Sequence, residues 1–113
     1  MKQQIKGRIA GSIIVTELES GKLVANFRIA ENKVYVERRT GRKRKITKFY
    51  TVKAWNGVAA SINNHLQNGD LVEFKVDVQP NAWISKETGE LKEELVLTVN
   101  RFSFIRASRR NDN

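Results

Sequence analysis

Apolar residues recur at every second position through most of the chain, the period of a strand with one buried face. "DLVEFKVDV", residues 70–78, shows it most cleanly: Val72, Phe74, Val76 and Val78 take one face and Glu73, Lys75 and Asp77 the other. Between Leu23 and Ile29 the alternation sets Leu23, Ala25, Phe27 and Ile29 against Val24, Asn26 and Arg28, and extended character resumes in "KVYVE", residues 33–37. There Val34 and Val36 are the expected core residues, which leaves Tyr35 outward with Lys33 and Glu37. The first segment, about Gln4 to Thr16, carries Ile5, Ile9 and Ile13 with Gly7 and Gly11 between them, a pattern that predicts a bent or bulged strand. A last strand runs from Glu94 to Asn100, where Leu95, Leu97 and Val99 alternate, and the strand-like "RFSFI" follows.

One segment changes period. In "NGVAASINNHLQNG", residues 56–69, Val58, Ile62 and Leu66 recur every four residues on one helical face, with Asn56 as the expected N-cap and Gly69 as the stop. "ESGK", residues 19–22, turns the chain early, and two polar stretches read as hairpin tips: "RRTGRKRK", residues 38–45, and "SKETGELK", residues 85–92. Three strands, one helix and two strands, with long excursions after the second and fourth strands, is the layout of the OB-fold. The predicted fold is therefore all-β: a five-stranded, partly open Greek-key barrel with a helix between strands 3 and 4 and long β-hairpin loops. Residues 1–105 form the expected domain and 106–113 a short polar tail.

Length and composition narrow the function. At 113 residues and 40% hydrophobic content the chain suits one domain with a single core. It has neither a run of membrane-spanning length nor the apolar core of a secretory signal at its N-terminus, so a soluble cytoplasmic protein is expected. Cys is absent, which removes disulfides and thiolate metal sites, and the single His65 offers little to zinc; no cofactor is expected. A net charge of +9 favours a polyanion, nucleic acid before acidic membrane, with plain solubility as the alternative.

Catalysis finds no support in these residues. A hydrolytic triad needs a His beside a nucleophile and an orienting acid, and His65 sits between Asn64 and Leu66 in the helix candidate. The carboxylates are scattered or grouped at hairpin tips, as at Glu87, Glu90, Glu93 and Glu94, where water keeps them ionised. The Thr-Gly pairs at Thr40-Gly41 and Thr88-Gly89 read as turns rather than phosphate-cradling loops.

The aromatics carry more. In "KFYTVKAWNG", residues 48–57, Val52 and Ala54 supply a core phase, which leaves Phe49, Lys53 and Trp55 together on a wet face. Tyr35 and Trp83 likewise lie among basic or polar neighbours. An exposed ring forgoes roughly 1.5 to 3 kcal/mol of burial, whereas stacking a nucleic-acid base on it returns about 1 to 3 kcal/mol. Every base has a π-face, so such rings bind single strands with little sequence preference, while a duplex hides its base faces. Lys33, Arg38, Arg39, Arg42, Lys43, Arg44, Lys45, Lys48 and Lys53 are the expected phosphate contacts. The competing account of the rings is packing in a subunit interface or under the hairpins.

These segments also match a family. "GKLVANFRIA", residues 21–30, the basic Thr-Gly hairpin, the third strand ending in "WNG" and the helix ending in "LQNG" together resemble the bacterial and phage single-stranded DNA-binding proteins, over roughly Gly7 to Asn100. The resemblance implies that Tyr35, Phe49, Trp55 and Trp83 stand where that family places its base-stacking rings. Tyr35 and Phe49 occupy positions where Trp is more usual, and Trp55 one where Phe is usual; each swap keeps a π-face. It also implies a homotetramer around which DNA wraps. Family members commonly continue into a Gly/Pro/Gln-rich linker and an acidic, Phe-ended tip that recruits replication and repair enzymes, whereas this sequence ends in "RASRRNDN", so no such tip is expected.

The expected function is thus non-enzymatic coating of single-stranded DNA in replication, recombination or repair. Two alternatives use the same features: an OB-fold RNA-binding module, and a primosome-type dimeric adaptor whose rings serve a protein partner.

Overall fold

A computed structural model describes residues 1–108; of the expected tail, Arg106 closes the last strand and residues 109–113 lie outside the described part. The elements in chain order are β1 (Lys2–Ile9), β2 (Ile14–Glu17), β3 (Leu23–Val36), β4 (Lys43–Trp55), α1 (Asn56–His65), β5 (Leu71–Ile84) and β6 (Leu91–Arg106). β1 and β2 are the two halves of the bent first strand. The sheet order is β1-β5-β6-β4-β3-β2, and β1 also pairs with β3, which brings the sheet round into a barrel. Two of its seams are short: the parallel contact of β4 with β6, Val52 opposite Leu97 and Lys53 opposite Thr98, and the antiparallel contact of β1 with β3, Arg8 opposite Ala30 and Ile9 opposite Ile29. With β1 and β2 counted as one strand, this is the five-stranded OB barrel, its helix between the third and fourth strands.

Gly7 lets the first strand cross β3. A Cβ there would lie 2.5 Å from the Ala30 carbonyl oxygen and 2.6 Å from Ile29 Cγ2, so any side chain would push the two backbones apart. Beyond the crossing, the Ile9 N–H donates to the Asp70 carbonyl at 3.0 Å and the Ala10 N–H to the Arg28 carbonyl at 2.9 Å, so β1 ends tied to both neighbours. Asp70 is a buried carboxylate, satisfied by the N–H groups of Gln67 at 2.9 Å and Ser108 at 3.0 Å.

The core lies inside the barrel. Ile5, Ile9, Ala25, Phe27, Ile29, Val52, Ala54, Val72, Phe74 and Val76 supply its walls, and the Phe27 and Phe74 rings meet at 5.7 Å, tilted by 46°. Ala59, Ile62 and Leu66 belong to the same cluster and carry α1 and the turn after it onto β3 and β4. A bulge leaves Asn100 without a partner between the pairs Lys75–Arg101 and Val76–Val99. The extra residue resets the alternation, so that Leu97, Val99 and, past the bulge, Phe102 all turn to the core.

Three local expectations are corrected. Val34, Val36 and Leu95 are exposed rather than core, because β3–β4 and β5–β6 run on past the barrel as two-stranded arms with no layer to cover them. Asn56 is not the N-cap. Trp55 takes that position, and Asn56 is the first helical residue, at φ +47°, with its Oδ1 accepting from the Leu23 N–H at 3.0 Å. That bond ties the helix start to the start of β3. The helix itself ends at His65, and Gly69 belongs to the turn into β5, where its N–H donates to the Ile9 carbonyl at 2.8 Å.

Candidate nucleic-acid interface

The register between β3 and β4 is unbroken from Val24 opposite Trp55 to Val36 opposite Lys43. It fixes two faces. Ala25, Phe27 and Ile29 with Ala54, Val52 and Tyr50 turn inward; Val24, Asn26, Arg28 and Ala30 with Trp55, Lys53, Thr51 and Phe49 turn outward. Phe49, Lys53 and Trp55 therefore do share the outer face. Val24, directly across from Trp55, is buried although it lies on this outer phase, as expected where a large ring leans over its cross-strand neighbour.

Arg28 completes the face. It is opposite Thr51 and diagonal to Phe49, and its guanidinium carbon sits 4.5 Å from the centroid of the Phe49 ring. Sequence reasoning misses Arg28 as a site residue. Alternation places it on the face opposite the core, but its contact with Phe49 depends on a cross-strand register that one strand's alternation does not contain.

All four expected rings reach solvent, from 36% exposed at Trp55 to 54% at Phe49. They do not form one row. Tyr35, opposite Arg44 on the basic arm, follows the strand phase of Phe27 and Ile29, so it occupies the other face of the hairpin from Phe49. Trp83, opposite Lys92 on the second arm, follows the outward phase of β5 with Asp77 and Gln79. Past the barrel both faces of an arm meet water, which is why a ring on the core phase is exposed at Tyr35 and buried at Phe27.

The cations also divide. Lys33 lies 3.9 Å from Glu31 and Arg44 3.5 Å from Glu37, so each already faces a carboxylate. Among the described residues, Arg38, Arg39, Arg42, Lys43, Lys45, Lys48 and Lys53 make no ion pair within the chain. The basic tip is ordered by its own turn: Thr40 Oγ1 donates to Glu37 Oε1 at 2.7 Å, the Gly41 N–H to the Glu37 carbonyl at 2.8 Å, and the Glu37 N–H to the Arg42 carbonyl at 2.8 Å.

Tyr50 is half-buried at the barrel's edge, packed against the core, and its hydroxyl donates to Glu31 Oε1 at 2.9 Å. Burial, then that hydrogen bond and the carboxylate's charge, push its pKa above the ordinary tyrosine value. His65 is exposed, with Nδ1 2.9 Å from the Ser61 carbonyl of its own helix. Among the described residues no group of three or more His, Cys, Asp or Glu could hold a metal ion, and no helix is long and apolar enough to cross a membrane.

A barrel of this topology with an exposed aromatic and basic sheet face defines an OB-fold binding protein. The chain belongs to the single-strand binding protein family, whose model matches residues 1–105. Solved structures agree on the fold. The single-stranded DNA-binding protein of Plasmodium falciparum, in a complex with single-stranded DNA, superposes with a TM-score of 0.76 at 20% identity, covering 95% of this chain and 94% of that one. A small single-stranded DNA-binding protein from Streptomyces coelicolor gives 0.70 at 19% identity, over 93% and 94% of the two chains. A deletion mutant of the single-stranded DNA-binding protein from Thermus aquaticus gives 0.80 at 13% identity, over 93% of this chain and 50% of that one. A search of curated proteins returned no match.

Proposed function

We propose that this protein binds and coats single-stranded DNA with little sequence preference, without catalysis, during replication, recombination or repair. The observation that carries the reading is the outer face of β3–β4, shared by exposed Phe49, Arg28 and Trp55 and half-buried Lys53. Family membership and the single-stranded DNA in the Plasmodium falciparum complex support the same ligand. The mechanism has two parts. Bases stack on Phe49 and Trp55 and, farther out, on Tyr35 and Trp83 of the arms, a contact that salt barely weakens. Lys33, Arg38, Arg39, Arg42, Lys43, Arg44, Lys45, Lys48 and Lys53 follow the phosphates and release counterions, a contact that salt weakens steeply. Strands in the two arms spread this surface well past the barrel, a shape suited to wrapping a long strand around a homotetramer.

The test is a titration of tryptophan emission with a series of thymidine oligomers at low and high salt. Strong quenching with a long, defined site size is expected, together with affinity that falls but persists at high salt. Binding that vanishes at moderate salt, with Trp55→Ala silent, would end the stacking half of the mechanism. Competition against RNA of equal length is expected to favour the DNA strand.

A further inference from the structure

Not every cation belongs to the sheet face that carries Phe49 and Trp55. On the outer face of β1–β5–β6, Lys2, Gln4 and Lys6 of β1 lie opposite Asp77, Lys75 and Glu73 of β5, and Lys75 in turn lies opposite Arg101 of β6. The bulge at Asn100 falls at this point. Two residues of β6, Asn100 and Arg101, stand against the single Lys75, and the side chains of both join Lys2 and Lys75 around an open hollow of about 390 Å³. The bulge therefore does more than reset the core phase: it brings a polar side chain to the place where three cations meet.

Nothing within one chain answers that charge. Among the described residues, none of these four side chains makes a hydrogen bond or an ion pair. The carboxylates nearest in the register are otherwise placed: Asp77, opposite Lys2, takes the Met1 ammonium at 3.3 Å and Gln79 Nε2 at 3.4 Å, and Glu73 lies two residues along β5 from Lys75, opposite Lys6. Lys75 and Arg101 are like charges directly across an antiparallel pair, an arrangement that destabilises a sheet. An anion seated beside them removes that cost.

We propose that Lys2, Lys75, Asn100 and Arg101 form a phosphate-binding site separate from the β3–β4 face. All four side chains offer N–H donors: the guanidinium fork takes two oxygens of one phosphate, the two ammonium groups supply charge, and the Asn100 carboxamide adds a neutral donor. A carboxylate, with two oxygens and a single charge, leaves part of this donor set unused. A phosphodiester of a bound strand and a free phosphate present the same group. In the first case the strand's path continues onto β1–β5–β6, a consequence that rests on the single-stranded DNA reading, whereas the site itself does not.

Inorganic phosphate is the probe, titrated into the protein at constant ionic strength and followed by its amide resonances, the side-chain amide of Asn100 among them. Saturable shifts centred on Lys75, Asn100 and Arg101 are expected, with affinity reduced about fivefold in Lys75→Ala and in Arg101→Gln, the upper range for an exposed charge pair. Neither variant should lose stability without phosphate, because each removes a like-charge contact. Thymidine oligomers then identify the source. A salt slope on long oligomers that falls by roughly 0.7 in each variant, with binding of a short oligomer unchanged, assigns the site to the strand's phosphates, and an unchanged slope assigns it to a free phosphate. Shifts no larger here than at Arg38, Arg39 and Arg42 would reduce the effect to the general attraction of a basic protein and overturn the proposal. An altered oligomeric mass in the variants with phosphate binding intact would also overturn it, since these side chains would then serve a subunit contact. Phosphate bound here by a protein that binds no oligomer would instead uphold the site and overturn the coating function.

Discussion

The guanidinium of Arg28 on β3 lies 4.5 Å from the centroid of the Phe49 ring on β4, across a diagonal of the sheet. The contact holds the ring in place at the edge of an open face and brings a fixed cation beside the surface on which a base would lie. Removing the side chain should weaken binding of a thymidine oligomer by about two- to fivefold, the cation–π value at an exposed site. Because a charge is removed as well, the salt dependence should flatten in Arg28→Ala and be retained in Arg28→Lys. Fluorescence titration at several salt concentrations reads both.

Phe49 and Trp55 should behave differently from the cations. Each substitution to Ala is expected to cost about 1 to 3 kcal/mol of binding with no change in salt slope. Trp55→Phe should keep most of the affinity and lose part of the emission quenching, which separates the ring's stacking from its use as a reporter.

At the basic tip the expectation reverses. Replacing Arg38, Arg39 and Arg42 with Gln should lower the slope of log affinity against log salt by roughly 0.7 for each phosphate that a cation no longer neutralises. Lys33 and Arg44 already face Glu31 and Glu37, so their replacement should change the slope less. Equal slopes for all five single variants would contradict this division.

Gly7→Ala tests the barrel closure. Its new methyl would meet the Ala30 carbonyl oxygen at 2.5 Å, a backbone atom that cannot swing aside. Overpacking of this kind costs about 1 to 3 kcal/mol, read from the denaturant midpoint at unchanged slope.

Tyr50 sets an alkaline limit. Its folded pKa lies above the unfolded value of 10.0, chiefly through burial and then through the bond to Glu31. The contribution is fully present below the unfolded pKa and is lost as pH rises through the folded one, because the unfolded chain releases its proton first. Stability measured above pH 10 should fall less steeply in Tyr50→Phe than in the unaltered protein.

Much of this was readable along the chain. Alternation identified the strand faces from Leu23 to Ile29 and from Val72 to Val76, and the shift to a period near four identified the helix, because each element must bury one face and its side chains repeat with the backbone geometry. The lysine between Phe49 and Trp55 marked their face as wet, as found. Alternation could not tell where the barrel stops. Val34, Val36 and Leu95 keep the core phase or its complement as faithfully as Val52 does, but burial depends on a second layer, and the arms have none.

The sequence by itself determined the strand and helix periods, the charge of each hairpin and the aromatic side chains available to a ligand, since these are local properties of composition and spacing. Only the tertiary structure decided which of them meet. The β3–β4 register set Arg28 on Phe49 and turned Tyr35 to the other face, and the projection of two strand pairs past the barrel left both faces of each arm exposed. Those relations arise between strands, where pairing and closure rather than the order of residues fix the neighbours.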